Sequence, residues 1–233
     1  ENTNLVIWPE VAIPAYAENV EGYLDELEGI LKNQNIDLLM LGINTKGKND
    51  EVFNSVITLG SDDNRVYHKR HLVPFGEYVP FPFKWIPGVR KLVGPVGSFK
   101  EGSEVETFSV HSKKNEDSTL KIGPLICYED IFPRLCRETA LAGVDLFFVT
   151  TNDAWFGREG CAEQHAAHSV LRAIETQRPF LRCGNAGWSG WIDPKGIQRS
   201  VLRDEDGSIY FQAASTFEMS FPAQPMPTTC PSA

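Results

Sequence analysis

An α/β fold, with helices covering sheets, follows from three observations. Several short segments are apolar at nearly every position, among them "LVIW", "DLLML", "PLIC" and "DLFFV", as strands buried on both faces are. These alternate with amphipathic segments long enough to be helices. No linker, repeat or low-complexity stretch divides the 233 residues before the end. Residues 1–220 are therefore expected to form one domain, and residues 221–233, "FPAQPMPTTCPSA", a disordered tail.

The elements follow in order. "NLVIW" reads as a short buried strand, and "VEGYLDELEGILKNQ" as a helix with Leu24, Leu27, Ile30 and Leu31 on its apolar face. "DLLMLGINT" is the next buried strand. "EVFNSVITLGSD" and "NRVYHK" make a hairpin, and a stretch rich in Pro and Gly then runs from Leu72 to about Gly102. "ETFSVHS" and "LKIGPLICY" read as strands around the charged turn "KKNED". "FPRLCRETALAG" is a helix, "VDLFFVTTN" a buried strand and "AEQHAAHSVLRAIETQ" a longer helix. "PFLRCGNAG", "WSGWIDPKG" and "SVLRDEDGSIYFQA" are expected as closing strands.

Charge narrows the partners. A net charge of -9 with no polybasic cluster excludes a backbone-binding face for nucleic acid and gives no electrostatic hold on an anionic membrane. Five cysteines without a CxxC pair exclude a disulfide framework or a zinc ribbon. The apolar runs are far shorter than the roughly 20 residues that cross a bilayer, so the chain as given reads as a soluble piece.

Chemistry in such folds collects at the carboxyl ends of strands. Three candidates sit there: Glu10 after "LVIWP", Lys69 after "RVYH" and Cys127 after "GPLI". Cys127 is either a buried thiol at a strand end or a nucleophile. A helix opening at "CYED" would favour the thiolate and offer N–H groups to an oxyanion. Glu10, framed by Trp8, Pro9 and Pro14, is either a solvated loop acid or a carboxylate of raised pKa able to accept a thiol proton. Lys69 alone carries little signal, since most lysines are surface charges. "CAEQHAAH" sets Cys161, His165 and His168 on neighbouring helical turns, but no fourth ligand is evident, and no metal is expected. "GWSGW" around Ser189 lacks the last glycine of a serine-hydrolase elbow.

Glu, Lys and Cys in this order, within "WPE", "HKRHLVPFGEYVPF" and "ICYED", resemble the carbon–nitrogen hydrolase (nitrilase) superfamily from Leu5 to Pro194. "KRHLVPFGEYVP" and "TNDAWFG" are similar to its apolipoprotein N-acyltransferase branch. The resemblance implies a nitrilase-like αββα sandwich, here lacking its first strand and helix. By position it implies Cys127 as nucleophile, Glu10 as general base and Lys69 as the cation that holds the oxyanion. Glu77 matches a further acid of the family, and Tyr128, Glu129, Asn152 and Trp155 match substrate-binding or supporting positions. No metal or organic cofactor is implied.

The same branch implies acyl transfer from a phospholipid to the N-terminal amine of a diacylglyceryl-cysteine apolipoprotein, through a cysteine thioester. It further implies the bacterial inner membrane, with this domain facing the periplasm and held by transmembrane helices that this chain lacks. Residues 79–99 fit a lipid-facing loop, with Phe81, Phe83, Trp85, Ile86, Leu92, Val93 and Phe99. The equal alternative is that these groups pack on the domain as a satellite core. One rival activity is that of a soluble nitrilase-type amidohydrolase, in which water resolves a thioester formed from a small amide or nitrile. A non-catalytic scaffold would be expected to have lost one of the three residues, and none is lost.

Overall fold

Two sheets and the helices on their outer faces make four layers in the computed structural model, which describes residues 4–60, 65–83, 99–111, 119–158 and 160–219. The first sheet holds β1 (Leu5–Ile7), β2 (Ile13–Tyr16), β3 (Leu38–Lys46), β4 (Val52–Leu59) and β5 (Val66–His68). Its order is β1-β3-β4-β5. The strand β2 pairs with β3 as well, and both β1 and β2 run parallel to it. The second sheet holds β6 (Phe108–His111), β7 (Thr119–Ile126), β8 (Leu146–Asn152), β9 (Phe180–Asn185), β10 (Gly190–Ile192) and β11 (Gln198–Val201), in the order β11-β10-β9-β8-β7-β6. Its central strands β7, β8 and β9 are parallel, so they all end at one edge.

Side-chain alternation explains why these strands are apolar throughout. In β3, Leu38 and Met40 point into the space between the sheets, while Leu39, Leu41 and Ile43 pack toward α1 (Glu21–Gln34). In β8, Leu146 and Phe148 face the same central space, and Phe147 and Val149 face the helices α2 (Pro133–Leu141) and α3 (Cys161–Thr176). Both faces are therefore buried, which gives the expected αββα layering. Ala162, Ala166 and Ala173 keep the sheet-facing side of α3 small, and that lets the helix lie close to the second sheet.

Helix ends follow local chemistry. α1 stops at Asn35, which adopts the left-handed conformation (φ 58°) and returns its N–H to the last turn. α2 starts with Pro133 in its first turn, where a missing N–H costs nothing.

Four sequence expectations need correction. Ile30 is 53% exposed, because it lies about 100° around the helix from the buried Leu31 and off the stripe shared with Leu27. "IPAY" forms β2, a strand left out of the sequence reading, with Pro14 inside it. Of "SVLRDEDGSIYFQA", only Ser200 and Val201 are in a strand. No α-helix opens at Cys127: a 3₁₀ turn covers Cys127–Ile131, and the α-helix waits for Pro133. Trp85, Ile86, Leu92 and Val93 of the apolar loop lie outside the described residues, as does the tail 221–233.

Candidate active site

Each of the three strand-end candidates is set by a break in regular structure. Between β1 and β2 the chain leaves β3 and returns to it, held by Trp8 N–H to the Met40 carbonyl and Ala12 N–H to the Gly42 carbonyl, both 2.9 Å. Glu10 lies in that excursion. Gly42 lies against it: a Cβ there would stand 2.7 Å from the Glu10 Cα, so only glycine lets the backbone come so close. Lys69 follows β5, with its N–H on the Asn54 carbonyl of β4 at 2.8 Å. Cys127 follows β7 with φ 54°, a left-handed backbone that a non-glycine residue adopts only where its surroundings enforce it.

The side chains converge. Lys69 is 1% exposed and its Nζ donates to Glu77 Oε1 at 2.9 Å, with Glu10 Oε1 3.7 Å away. Asn54 Nδ2 bridges the two acids, donating to Glu10 Oε1 at 2.7 Å and to Glu77 Oε1 at 3.0 Å. The other Glu10 oxygen accepts the Asn152 N–H at 2.8 Å, which ties the first sheet to the end of β8. Glu77 Oε2 accepts the Val73 N–H at 2.8 Å, fixing the turn that carries it. Cys127 is 8% exposed beside this cluster, and its thiol feels the charges of both Glu10 and Lys69.

Electrostatics follow from burial with incomplete compensation. Burial raises the Glu10 carboxyl, and Lys69 and Asn54 only partly oppose it. For Lys69, burial works against the ammonium, but Glu10, the Cys127 thiol and Glu77 outweigh it and hold the pKa above the usual lysine range. The Cys127 thiol is pushed up to about 12 by burial and by the Glu10 charge, against Lys69 and a hydrogen bond from Thr151. The resting group is thus a thiol with a carboxylate of raised pKa nearby. This corrects the expectation of a helix-stabilised thiolate and makes a general base necessary.

The supporting candidates have different surroundings. Tyr128 donates its hydroxyl to the Leu72 carbonyl at 2.6 Å, and its ring lies 5.6 Å from Lys69 Nζ. Glu129 is fully buried and serves as a clamp: it accepts Tyr67 Oη (2.8 Å), Ile126 N–H (2.7 Å), Arg70 N–H (2.7 Å) and His71 N–H (3.1 Å). It thereby fastens the start of the Cys127 turn to the segment that follows Lys69. Asn152 contributes its backbone N–H to Glu10 and its Oδ1 to Ala154 and Asn185. Trp155 is 74% exposed in the 3₁₀ turn that follows, Asp153–Phe156.

Sequence reasoning missed Asn54, Thr151 and Asp153. A buried asparagine within the apolar strand "VFNSVITL" was the available signal for Asn54. The zinc trio is parted, with His165 buried among Asp130, Asp153 and the Cys127 carbonyl, and His168 exposed. Ser189 closes the β9–β10 hairpin by accepting the Gly184 N–H at 3.0 Å.

A carboxylate, an ammonium and a thiol gathered in one buried cleft can run acyl transfer through a covalent intermediate. The chain is 34% identical to an apolipoprotein N-acyltransferase from Geobacter metallireducens over 203 residues, which is 85% of this chain and 37% of the relative. It is 37% identical to one from Rickettsia prowazekii (84% and 38%) and 30% identical to one from Vibrio parahaemolyticus (94% and 46%). The chain therefore spans less than half the length of these relatives. Among solved structures, a carbon-nitrogen hydrolase from Helicobacter pylori G27 superposes with TM-score 0.62 at 15% identity, covering 86% of this chain and 73% of that one. An amidase from Nesterenkonia sp. gives TM-score 0.58 at 18% identity, covering 85% and 73%. Residues 1–220 match the carbon-nitrogen hydrolase family, and the chain belongs to it.

Proposed function

We propose that this chain is the catalytic part of an enzyme that moves an acyl group from a phospholipid to the N-terminal amine of a lipid-modified apolipoprotein. Cys127 serves as nucleophile, Glu10 as general base and Lys69 as oxyanion cation. The observation that carries the chemistry is the buried approach of Lys69 Nζ and Glu10 Oε1, 3.7 Å apart, beside the Cys127 thiol. The relatives named apolipoprotein N-acyltransferase support the apolipoprotein as acyl acceptor.

In this mechanism Glu10 takes the Cys127 proton as sulfur attacks the ester carbonyl. The carbonyl oxygen becomes an oxyanion held by Lys69 and the Tyr128 N–H. Collapse breaks the ester C–O bond, and protonated Glu10 returns its proton to the departing lysophospholipid. The acyl group is left as a thioester on Cys127. The apolipoprotein α-amine then attacks that thioester and loses a proton to Glu10. Collapse releases the amide, and the proton returns to sulfur. Glu77, already occupied by Lys69, Asn54 and Val73 N–H, holds the ammonium in place.

Exposed aromatics support a lipid substrate. Phe75 lies two residues before Glu77 and its ring meets that of Phe83 edge-on at 5.4 Å; Phe81, Trp155 and Phe156 are also exposed. Among the described residues no helix is long and apolar enough to cross a membrane; residence at the inner membrane, facing the periplasm, is part of this proposal and follows from the family resemblance in the sequence. The test is to incubate the full protein with labelled phospholipid and no apolipoprotein, then map the label. An acyl group on Cys127, released by hydroxylamine and absent from Cys127→Ala, is expected. Labelling that survives in Cys127→Ala would refute the assignment.

A further inference from the structure

The mechanism above leaves one buried ionisable cluster unused. His165, on the first turns of α3, lies beneath the Cys127 turn. Its Nε2 is 3.2 Å from the Cys127 carbonyl and 3.0 Å from Asp130 Oδ1, and its Nδ1 is 3.1 Å from Asp153 Oδ1. All three partners are oxygen acceptors, and Asp153 Oδ1 already accepts the Thr151 hydroxyl at 3.1 Å. A neutral imidazole has one bare nitrogen that needs a donor, and neither ring nitrogen faces one here. Asp130 is committed elsewhere, since its Oδ2 accepts from Arg182 and from Ser169.

We propose that His165 is a positioning residue for the Cys127 turn, with protons on both ring nitrogens. The inference rests on reading Cys127 as the nucleophile. Its physical core is the peptide unit between Cys127 and Tyr128. In a trans peptide the C=O and the following N–H point in opposite directions. A donor that holds the Cys127 carbonyl inward therefore aims the Tyr128 N–H outward, toward the oxyanion position. The same ring steadies Asp153, whose Oδ1 also accepts the Thr151 hydroxyl. One imidazolium thus sets the peptide that stabilises the oxyanion and anchors Asp153 beside it. The left-handed φ of Cys127 is the backbone conformation that this hold maintains.

The charged and titratable groups around His165 agree with a cation. Asp130 faces it from the 3₁₀ turn Cys127–Ile131 and Asp153 from a second one, Asp153–Phe156. Arg182 of β9 lies behind Asp130, and Cys136 of α2 reaches the Asp130 carbonyl with its thiol at 3.9 Å. Burial and Arg182 oppose the charge on His165, and the hydrogen bonds to Asp130 and Asp153 outweigh them, so its pKa lies above the usual histidine value.

The experiment compares two reactions of the same sulfur in the full protein. Thioester formation from phospholipid passes through an oxyanion, whereas alkylation by iodoacetamide does not. His165→Gln is expected to slow thioester formation by about 10- to 100-fold, less than the roughly 10²- to 10³-fold that follows outright loss of an oxyanion donor, with alkylation within about threefold and the KM for phospholipid unchanged. Equal loss in both reactions, or none in either, would overturn the inference. Gly187→Ala offers a second variant that leaves His165 in place, because a Cβ there would press into the Asp153 carboxylate; the same split is expected. In the unmutated protein with isotope-labelled histidine, nitrogen NMR should show both His165 ring nitrogens protonated at about pH 6.5, where an ordinary histidine is half deprotonated. A bare ring nitrogen would refute the proposal without any variant. If the unmutated enzyme carries no acyl group on Cys127, the nucleophile assignment fails and this inference falls with it.

Discussion

Glu10 and Asp130 are both carboxylates buried near Cys127, yet the protein moves their pKa values in opposite directions. Burial lifts Glu10 above its usual value. Asp130, equally buried, is held down at about 2: burial raises it, but Arg182, His165 and Ser169 more than compensate. The difference lies in the partners. Asp130 has a guanidinium, an imidazole and a hydroxyl on its two oxygens, whereas Glu10 has two amide donors and an ammonium 3.7 Å away that already serves Glu77. A fully paired carboxylate is a structural anchor and an underpaired one can exchange a proton. The first sheet supplies the exchangeable acid, and the second supplies the anchored one.

Four variants would break or sharpen this contrast. Cys127→Ala removes the group that both acids surround, and acyl transfer should fall by at least about 10⁴-fold, measured as product formation in the full protein. Glu10→Gln keeps the shape and the Asn54 contact but not the base. Transfer should drop by about 10²- to 10⁴-fold with little change in melting temperature.

Asp130→Asn should behave in the opposite way, as a stability defect of about 3–5 kcal/mol, because Arg182 is left as an unpaired buried charge. The pH dependence has a definite sign. A carboxyl whose folded pKa is depressed from 3.8 to about 2 stabilises the fold fully above 3.8 and loses that contribution as pH falls toward 2. That part is on the order of 2 kcal/mol, so urea unfolding should find the gap between Asp130→Asn and the parent narrower near pH 2 than at pH 7. Phe81→Ser combined with Phe83→Ser should give the smallest effect, raising the KM for phospholipid about tenfold through lost apolar contact. Alkylation of Cys127 should be unchanged, and equal loss of both would indicate a folding defect instead.

How much of this was legible in the sequence depended on whether the signal was local. The layers were, because strands apolar at every position must be buried on both faces, and β3 and β8 are. The strand-end positions of Glu10, Lys69 and Cys127 were legible for the same reason. Their convergence was not, since it depends on β1 and β2 sharing one edge of β3 and on the two sheets meeting face to face. The anchored half of the site stayed hidden. Asp130 read only as an acid in "CYED", and His165 only as a weak metal candidate, because the pairing that defines them spans 35 residues. The helix expected at Cys127 failed because Pro133 sets the α-helical start, leaving a 3₁₀ turn and a buried thiol where a stabilised thiolate was anticipated.

The central claim is that a protonated Cys127 depends on an underpaired Glu10 to become reactive. Its most direct test is the rate of Cys127 alkylation by iodoacetamide from about pH 5 to 9, in the full protein and in Glu10→Gln. The account predicts that the parent rate rises through the raised Glu10 pKa and then levels off. The variant should be slow at neutral pH and climb steadily as the thiol itself ionises, at a pH below the parent thiol's value of about 12, because the Glu10 charge that helps to raise it is gone. Superimposable profiles for the two proteins would contradict it.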